Sequence, residues 1–415
     1  MEKKDVGGKV MIKIAVLGYG TVGSGVVEVM NTNGTIINQR IGDDISIKYV
    51  LDIRDFPDDP ISHLLVHDFQ TILKDEEVKI VVEVMGGIEP AYTYVKKSLE
   101  AGKSVVTSNK ALVADHGSEL LAIAREKGIN FLFEASVGGG IPIIRALNSS
   151  VTADEIQVIK GILNGTTNYM MTKMFYEGAD YDQVLKEAQE KGYAERDPEA
   201  DVEGFDACRK IAILSSLISG QQVDFEDIPT EGITNITKED MMYAKGMEMT
   251  IKLLAVMRRD EFNVHAIVAP YLISKDHILY HVNGVFNAVH MKGNVLGDAM
   301  FYGSGAGKLP TASAVVADVV DAAKHLNVNI MSMWEKDKMT LQPIGKTMCR
   351  AFVRIKGKVD ALKTYLESQF GEIEIVKIEE LDNEFGFICP RMTEERYEEI
   401  AKEFPGIIKM LRIEW

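Results

Sequence analysis

An acidic loop that leads into an amphipathic helix carries the side chains best suited to chemistry. Residues 191–214 read KGYAERDPEADVEGFDACRKIAIL. Asp206 and Lys210 are four residues apart, so a helix places them one above the other. A stacked carboxylate and amine can hold a cationic substrate and move a proton. The alternative is a solvated acidic loop beside an ordinary surface ion pair, which contributes only about 0.3 kcal/mol.

A glycine-rich turn near the N-terminus is the second candidate. Residues 12–17 form an apolar run of strand length, GYGTVG follows at 18–23, and a helical pattern continues to Met30. This is G-x-G-x-x-G between a strand and a helix, the setting that dinucleotide binding requires. A glycine-rich turn that binds nothing is the alternative.

Five of the six residues of that turn have expected roles in binding a dinucleotide. Gly18 suits a tight turn, Gly20 a close approach of the backbone to a pyrophosphate, and Gly23 close packing of helix on strand. Thr21 and Val22 open the helix, whose free N–H groups and positive dipole attract phosphates.

The end of the second predicted strand, 45–51, bears on the choice of cofactor. It runs into Asp52-Ile53-Arg54-Asp55. An acid at this place suits the ribose 2′-hydroxyl of NAD, whereas Arg54 suits the 2′-phosphate of NADP. Both cofactors stay open. Residues 31–44 are predicted to be a loop insertion, which explains why the acid lies further along the chain than is usual for this motif.

Strand-like and helical runs alternate through the first third of the chain. Strands are predicted at 78–84, 104–107 and 130–134, and helices at 91–100 and 115–127. This alternation predicts an α/β fold with a Rossmann-type doubly wound parallel sheet. Asn109 and Lys110 follow one strand, at the carboxyl edge where such sheets bind ligands.

The middle of the chain changes character at EASVGGGIP, residues 134–142. Three glycines followed by Ile-Pro predict a sharp turn whose carbonyls could ligate a hard cation, or else a plain inter-domain hinge. Beyond it, runs at 155–163, 251–257, 263–270 and 284–289 predict an antiparallel sheet in an α+β domain. GSGAGKLPTA, residues 303–312, then opens a predicted helix at 312–324.

Composition limits the class of protein. The 415 residues carry a net charge of −16 with a pI near 5.1, which argues against nucleic acid as a partner. No apolar run reaches the roughly 18 residues of a membrane span. The three scattered cysteines fit a reducing compartment, so a cytoplasmic protein is expected. The first ten residues lack the apolar core of a signal peptide and read as a disordered tail.

Six motifs in one order carry a family resemblance: GYGTVG, TSNK, EASVGGGIP, GILNGTTNY, KGYAERDPEADVEGFDACRK and GSGAGKLPTASAV. Over residues 11–326 the chain resembles homoserine dehydrogenase. The resemblance implies reversible reduction of L-aspartate 4-semialdehyde to L-homoserine with NADP or NAD, in threonine and methionine biosynthesis. It also implies a homodimer built through the middle sheet.

The resemblance assigns roles to the acidic stretch and to the loop after the fourth strand. Lys210 is implied to donate a proton to the aldehyde oxygen, with Lys110 as a second catalytic lysine. Asp206 is implied to orient the reacting end of the substrate. Glu195, Asp201 and Asp206 are implied to bind the substrate.

The implied cofactor contacts add two cationic side chains and further backbone positions to the glycine turn. They are Gly18, Gly20, Thr21, Val22, Gly23, Arg54, Lys110, Gly192 and Gly307, with Asn109 in the same loop as Lys110. A structural sodium ion is implied at Glu134, Val137, Gly139 and Ile141, mostly through carbonyl oxygens.

The last seventy residues read as βαββαβ, a ferredoxin-like order similar to an ACT domain. The first loop, residues 355–359, reads IKGKV and has no Asp-x-Pro-Gly. Binding of threonine as an effector and dimerisation by sheet pairing therefore both stay open. The predicted domains are a nucleotide-binding domain at 1–135 and a substrate-binding and dimerisation domain at 136–326, of which 303–326 returns to the first domain. A linker at 327–344 and an ACT-like regulatory or dimerisation domain at 345–415 follow.

Two other classes of protein compete with this interpretation. A semialdehyde dehydrogenase that acylates through cysteine needs a thiolate beside a base, and Cys208 has no evident base. A non-catalytic sensor of dinucleotide and amino acid would be expected to have lost Lys110 or Lys210, and both are present.

Overall fold

The structure of the protein is a computed structural model, which describes residues 11–260, 263–332 and 334–414. The predicted disordered tail, residues 1–10, lies outside the described residues. The chain forms two compact units. The first takes the chain up to Ala153 together with Ile213–Asp224 and Gly303–Met339; the second takes Asp154–Ala212, Phe225–Tyr302 and the chain from Thr340. Within the described ranges, no helix is both long and apolar enough to cross a membrane.

The strands are short in the first unit and long in the middle of the chain. In chain order they are β1 (Met11–Leu17), β2 (Asp44–Leu51), β3 (Leu65–Val66), β4 (Val78–Glu83), β5 (Ser104–Thr107), β6 (Phe131–Leu132), β7 (Ile156–Ile162), β8 (Gln221–Gln222), β9 (Met249–Arg259), β10 (Val264–Ser274), β11 (Phe286–Gly293), β12 (Gly297–Ser304), β13 (Glu335–Lys338), β14 (Met348–Cys349), β15 (Ala351–Lys356), β16 (Glu374–Val376), β17 (Glu384–Ile388), β18 (Met392–Thr393) and β19 (Ile407–Glu414).

The helices alternate with the strands in the first unit and cluster in the acidic stretch of the second. They are α1 (Thr21–Ile41), α2 (Phe69–Lys74), α3 (Ala91–Glu100), α4 (Lys110–Lys127), α5 (Ile143–Arg145), α6 (Gly165–Glu177), α7 (Tyr181–Glu190), α8 (Glu199–Val202), α9 (Phe205–Ser219), α10 (Lys238–Gly246), α11 (Lys308–Lys324), α12 (Val359–Phe370) and α13 (Glu394–Glu403).

The first unit is built on a parallel sheet in the order β3-β2-β1-β4-β5-β6. Ala15, Val16 and Leu17 of the central strand are fully buried, as expected for a sheet covered on both faces. This strand order is that of the dinucleotide-binding α/β fold, and it confirms the predicted doubly wound sheet.

One local prediction in this unit is wrong. Residues 31–44 are mostly not a loop insertion, because α1 continues to Ile41 before β2 starts at Asp44. Asparagines and a glycine in this stretch favour turns when judged by propensity alone. Tertiary contacts overrule that preference: Ile37 is buried and the Asn38 amide donates to Asp44 at 3.0 Å.

The second unit is built on a nine-stranded sheet in the order β12-β11-β7-β9-β10-β19-β15-β17-β16. The strands β11, β7, β9 and β10 pair antiparallel, as the alternating pattern predicts. The C-terminal strand β19 then joins β10 in parallel, with Tyr271 opposite Arg412. The last part of the chain therefore continues the sheet of the middle domain.

The C-terminal elements run β15-α12-β16-β17-α13-β19, which is βαββαβ, and the sheet orders these strands as fourth, first, third and second. This is the ferredoxin-like arrangement that the sequence predicts. The likeness to ACT domains in particular stays a prediction. A buried ion pair ties these elements to the rest of the unit, because Arg354 of β15 donates to Asp240 of α10 at 2.6 Å. Arg354 also donates to Glu384 of β17 at 2.8 Å.

The stretch predicted as a linker, 327–344, is anchored by two buried residues, Met331 and Trp334, among residues that are mostly exposed or half-buried. Trp334 is 1% exposed, and its indole N–H donates to Gln222 at 2.8 Å. A Cβ on Gly117 would overlap the Trp334 ring, so this glycine makes room for it. Strand β13 follows directly and pairs with β8 in the first unit. The predicted domain boundaries themselves stay predictions.

Candidate active site

Helix α9 holds Asp206 and Lys210 in its first two turns. Asp206 is 3% exposed and Lys210 is 8% exposed. The Lys210 ammonium donates to the Asp206 carboxylate at 2.7 Å and to the Leu163 carbonyl at 2.7 Å. The pair is therefore buried, and the interpretation as an ordinary surface ion pair is wrong. Holding a charge at such a site requires strong partners, because desolvating two ions costs several kcal/mol each.

A second carboxylate joins this pair through Asn164, which precedes α6. The Asn164 amide donates one hydrogen to Asp201 at 2.7 Å and the other to Asp206 at 2.9 Å. The fold thus brings together Asp201, Asp206 and Lys210, three of the residues that the sequence assigned to substrate chemistry.

The pKa of the Asp201 carboxyl lies above that of a free aspartate, so its ionised form is less favourable here than in water. Burial raises the pKa of its carboxyl first, and the negative charge of Asp206 raises it further. Hydrogen bonds from Asn164 and Thr166, together with the charge of Lys210, act in the opposite direction. A cationic ligand between the two carboxylates would lower this cost.

Two other predicted residues of the second unit, Gly192 and Glu195, follow α7 in the chain. Glu195 is exposed, and in the part of the chain that the structure describes its carboxylate has no hydrogen bond to Asp201 or Asp206. Gly192 follows α7 with a φ of +72°, and its N–H donates to the Gln189 carbonyl. Both residues lie on the same solvent-exposed loop.

In the first unit the glycine turn has the geometry of a phosphate-binding site. Gly18 has a φ of +98°, which favours glycine, and its N–H donates to the Leu51 carbonyl at 2.8 Å. A Cβ on Gly23 would overlap the Gly18 carbonyl, so close packing requires glycine there. A Cβ on Gly20 would have no protein atom within 4 Å. Gly20 therefore faces open space before Thr21, the first residue of α1.

Asp52 and Arg54 form a pair at the end of β2. The Asp52 carboxylate accepts from the Tyr19 N–H at 2.8 Å, from Arg54 Nε at 2.9 Å and from Arg54 Nη2 at 3.0 Å. These contacts, the guanidinium above all, hold the pKa of Asp52 well below its usual range. The Arg54 side chain is 57% exposed, whereas the Asp52 side chain is 7% exposed. The guanidinium of Arg54 is therefore more accessible to a ligand than the carboxylate of Asp52.

The loop that carries Asn109 and Lys110 is fixed by a carboxylate beneath it. Glu83, at the end of β4, is fully buried and accepts from the Thr107 hydroxyl at 2.5 Å and the Met85 N–H at 2.8 Å. The Thr107 oxygen in turn accepts from the Asn109 N–H at 2.9 Å. Lys110 is the first residue of α4, at its positive end.

Glu134 and the triple-glycine turn form the predicted cation site. The two Glu134 carboxylate oxygens accept from the Ile144 N–H at 2.8 Å and the Arg145 N–H at 2.7 Å. Burial raises the pKa of this carboxyl. Gly139 has a φ of +57°, and a Cβ there would overlap the Gly305 carbonyl. Each oxygen of the carboxylate thus accepts a hydrogen bond from a backbone N–H.

Comparison with known proteins decides the family. The model of the homoserine dehydrogenase NAD-binding domain matches residues 18–134, and that of homoserine dehydrogenase matches residues 142–320. The chain belongs to the homoserine dehydrogenase family. It is 43% identical to homoserine dehydrogenase of Bacillus subtilis over 323 residues, which are 77% of this chain and 74% of the relative.

Solved structures of homoserine dehydrogenases have the same fold. The enzyme from Thiobacillus denitrificans matches over 98% of this chain and 99% of its own, with 35% identity and a TM-score of 0.86. A hyperthermophilic archaeal homoserine dehydrogenase in complex with NADPH matches over 75% of this chain and 98% of its own, with 28% identity and a TM-score of 0.65. The protein is accordingly an NAD(P)-dependent oxidoreductase.

The cysteines do not favour acyl transfer as the chemistry of this homoserine dehydrogenase. The Cys208 thiol donates to the Phe225 carbonyl at 3.3 Å. Burial raises the pKa of Cys349 to about 12 and also raises that of Cys389. A nucleophilic cysteine needs a lowered pKa, so the acylating alternative has no support in these two residues. Within the described ranges no cluster of three or more His, Cys, Asp or Glu side chains could hold a metal ion.

Sequence reasoning left Glu83 and Asn164 without a role. Glu83 is an acid at the end of a buried strand, directly before a glycine-containing turn, which is itself an unusual place for a carboxylate. Asn164 opens α6 inside GILNGTTNY, where it reads only as a helix cap. A cavity of about 810 Å³ elsewhere in the second unit is lined by Lys160, Arg258 and Glu414 and does not include Lys210.

Proposed function

We propose that this homoserine dehydrogenase uses Lys210 to protonate the aldehyde oxygen when L-aspartate 4-semialdehyde is reduced to L-homoserine. The observation that carries the proposal is the buried contact of Lys210 with Asp206. An aldehyde oxygen gains negative charge as hydride arrives, and an ammonium group stabilises that charge and delivers a proton. The bound nicotinamide supplies the hydride. In the reverse direction the neutral amine of Lys210 accepts the hydroxyl proton.

The carboxylates provide the complementary half of substrate binding. The substrate carries an α-ammonium group, and Asp201 and Asp206 are held together by Asn164 beside the ammonium of Lys210. We assign Asp201 and Asp206 to substrate binding, with Asp206 also orienting Lys210. Glu195, on the exposed loop, is assigned to the same role on the family resemblance alone.

Lys110 is the second catalytic lysine in this proposal. Its place at the N-terminus of α4, beside Asn109 and above the Glu83–Thr107 contact, gives it a defined position. Glycine backbone at Gly18, Gly20, Gly23, Gly192 and Gly307 is assigned to the cofactor, with Thr21 and Val22 opening the phosphate-binding helix.

We further propose that NADP is preferred over NAD. Both oxygens of the Asp52 carboxylate already accept hydrogen bonds, so it is a poor partner for a ribose 2′-hydroxyl. Arg54 is held by Asp52 yet remains more than half exposed, which suits a 2′-phosphate. The archaeal relative in complex with NADPH is consistent with this preference.

On the family resemblance we propose a sodium ion at the triple-glycine turn, held by Glu134, Val137, Gly139 and Ile141 mostly through carbonyl oxygens. Hard cations favour oxygen ligands, and the tight turn at Gly139, which has a φ of +57°, is the feature that supports a dedicated site. The role proposed for the ion is structural.

For the C-terminal elements we propose a structural role first. Their sheet is continuous with that of the middle domain, and the Arg354–Asp240 pair is buried. Assembly as a homodimer or higher homo-oligomer, and threonine as an effector, are proposed on the family resemblance.

One assay tests the reaction and its cofactor. NADPH and NADH formation should be followed separately with L-homoserine, each with and without threonine and sodium. Turnover with NADP exceeding that with NAD is expected. Binding of dinucleotide and homoserine with no turnover in either direction would instead support a non-catalytic sensor, and turnover with NAD alone would refute the cofactor preference.

A further inference from the structure

The N-terminus of α6 presents its capping residue to the substrate carboxylates. The Asn164 side-chain oxygen accepts from the Thr167 N–H at 2.9 Å and from the Thr167 hydroxyl at 3.1 Å. The backbone N–H fixes which way the amide faces, because it can only donate and the amide oxygen is the acceptor. The NH₂ group must then point away from the helix, towards Asp201 and Asp206.

We infer that Asn164 is a positioning residue that holds Asp201 and Asp206 at the spacing needed to bind the substrate ammonium. The inference rests on the substrate roles proposed above for the two aspartates. Asn164 is 6% exposed and uses both of its N–H donors on these two carboxylates. It acts through the aspartates and is not itself assigned a contact with substrate.

The charges of the cluster explain why the side-chain amide of Asn164 matters for keeping Asp201 and Asp206 ionised. Two carboxylates lie beside the ammonium of Lys210, and the negative charge of Asp206 raises the pKa of Asp201. The groups around Asp201 are Asp206 and Lys210 from α9, and Asn164 and Thr166 from the start of α6. Of these, Asn164 is the one that donates to both aspartates, and two donated hydrogen bonds stabilise the ionised pair.

Two substitutions separate this role from simple helix capping. Asn164→Ser and Asn164→Asp both keep an oxygen that can accept from the Thr167 N–H, so α6 stays capped. Neither can donate to both carboxylates, and the aspartate adds a third negative charge. We expect KM for L-homoserine to rise about 10-fold or more in the serine variant and further in the aspartate variant, because buried carboxylates lose their donor. KM for NADP should change less than about two-fold, since no cofactor contact is removed.

The pH profile supplies a readout that a capping defect would not move. Loss of the donated hydrogen bonds raises the pKa of the carboxylates, so the acidic limb of kcat/KM should shift to higher pH in the serine variant, measured between about pH 5 and 9. Thr393→Ala is the matched control, because Thr393 caps α13 by accepting from the Arg396 N–H at 3.3 Å. It should lower the melting temperature and leave both KM values and the pH profile unchanged.

The possible outcomes distinguish a failure of the proposed function from a failure of the positioning role of Asn164. A wild-type enzyme without homoserine turnover would overturn the proposed function. An active wild type, with folded Asn164→Ser and Asn164→Asp variants that keep its KM and its pH profile, would overturn the positioning role and leave the proposed function standing. Unfolding of both variants would show that Asn164 serves the stability of α6, which also contradicts the inference.

Discussion

The ammonium nitrogen of Lys210 lies 2.7 Å from the carboxylate of Asp206, one turn earlier in the same buried helix. Replacing such a pair by apolar side chains is often neutral or stabilising, so its presence in a core is weak evidence for a role in stability. A chemical role explains it better, since Lys210 uses two of its three N–H donors on described residues, Asp206 and Leu163.

Lys210→Met should reduce turnover about 100-fold or more, because the proton donor to the aldehyde oxygen is removed. The dissociation constant for NADP should change little. Lys160→Met is a matched control, since Lys160 is also buried and pairs with a carboxylate, Glu414, at 2.6 Å. The control should affect stability and keep turnover. Steady-state rates and cofactor titration would check this, and near-normal turnover of Lys210→Met would remove Lys210 from the mechanism.

The glycine turn predicts opposite outcomes for two similar substitutions. Gly20→Ala places a methyl group where no protein atom lies within 4 Å, so the melting temperature should hold while KM for the cofactor rises. Gly23→Ala drives a methyl group into the Gly18 carbonyl and should destabilise the first unit by about 1–3 kcal/mol. Thermal melts and cofactor kinetics on both variants provide the check. Unchanged cofactor kinetics in Gly20→Ala would argue against a pyrophosphate at this turn.

Arg54→Gln should lower kcat/KM with NADPH by about 10-fold or more and alter that with NADH much less, because only NADPH carries the 2′-phosphate. Arg40→Gln is the control, an exposed arginine in the last turn of α1. It should leave the ratio of the two cofactors as in the wild type. Equal losses with NADPH and NADH in Arg54→Gln would contradict the proposed contact.

Lys252 predicts a pH dependence of stability. It is 1% exposed and donates to Asn168, Val282 and Asn283, and burial lowers its pKa to about 7. The unfolded chain keeps this proton to about pH 10. Between these values the unfolded state binds more protons, so the free energy of unfolding rises with pH, by up to about 1.4 kcal/mol per pH unit, and this contribution is lost as pH falls through the folded pKa.

Lys252→Met should remove that slope. Urea midpoints measured at about pH 7 and 9.5 would differ less in the variant than in the wild type. Lys292→Met, at an exposed lysine on β11, should keep the wild-type difference. A variant at Lys252 with an unchanged slope would show that another group titrates.

Much of the fold follows from local sequence. The sequence predicts β1, β4 and the turn at Gly18. These features depend on the spacing of apolar residues, the length of the apolar run and the position of glycine, all within a few residues. The C-terminal half of α1 could not be predicted in this way, because contacts of Ile37 and Asn38 outweigh the turn-forming residues around them. The packing of Trp334 on Gly117 likewise depends on residues more than two hundred positions apart.

The sequence by itself determined the elements, the nucleotide turn and the helical stacking of Asp206 on Lys210, since these depend on spacing along the chain. Only the tertiary structure decided that this pair is buried and that Asn164 links it to Asp201 by hydrogen bonds. It also decided that the Asp52 carboxylate accepts hydrogen bonds from Arg54. Burial and hydrogen-bond partners are set by which distant segments meet. Those same contacts turn an ordinary i,i+4 pair into a site that can hold and move a proton.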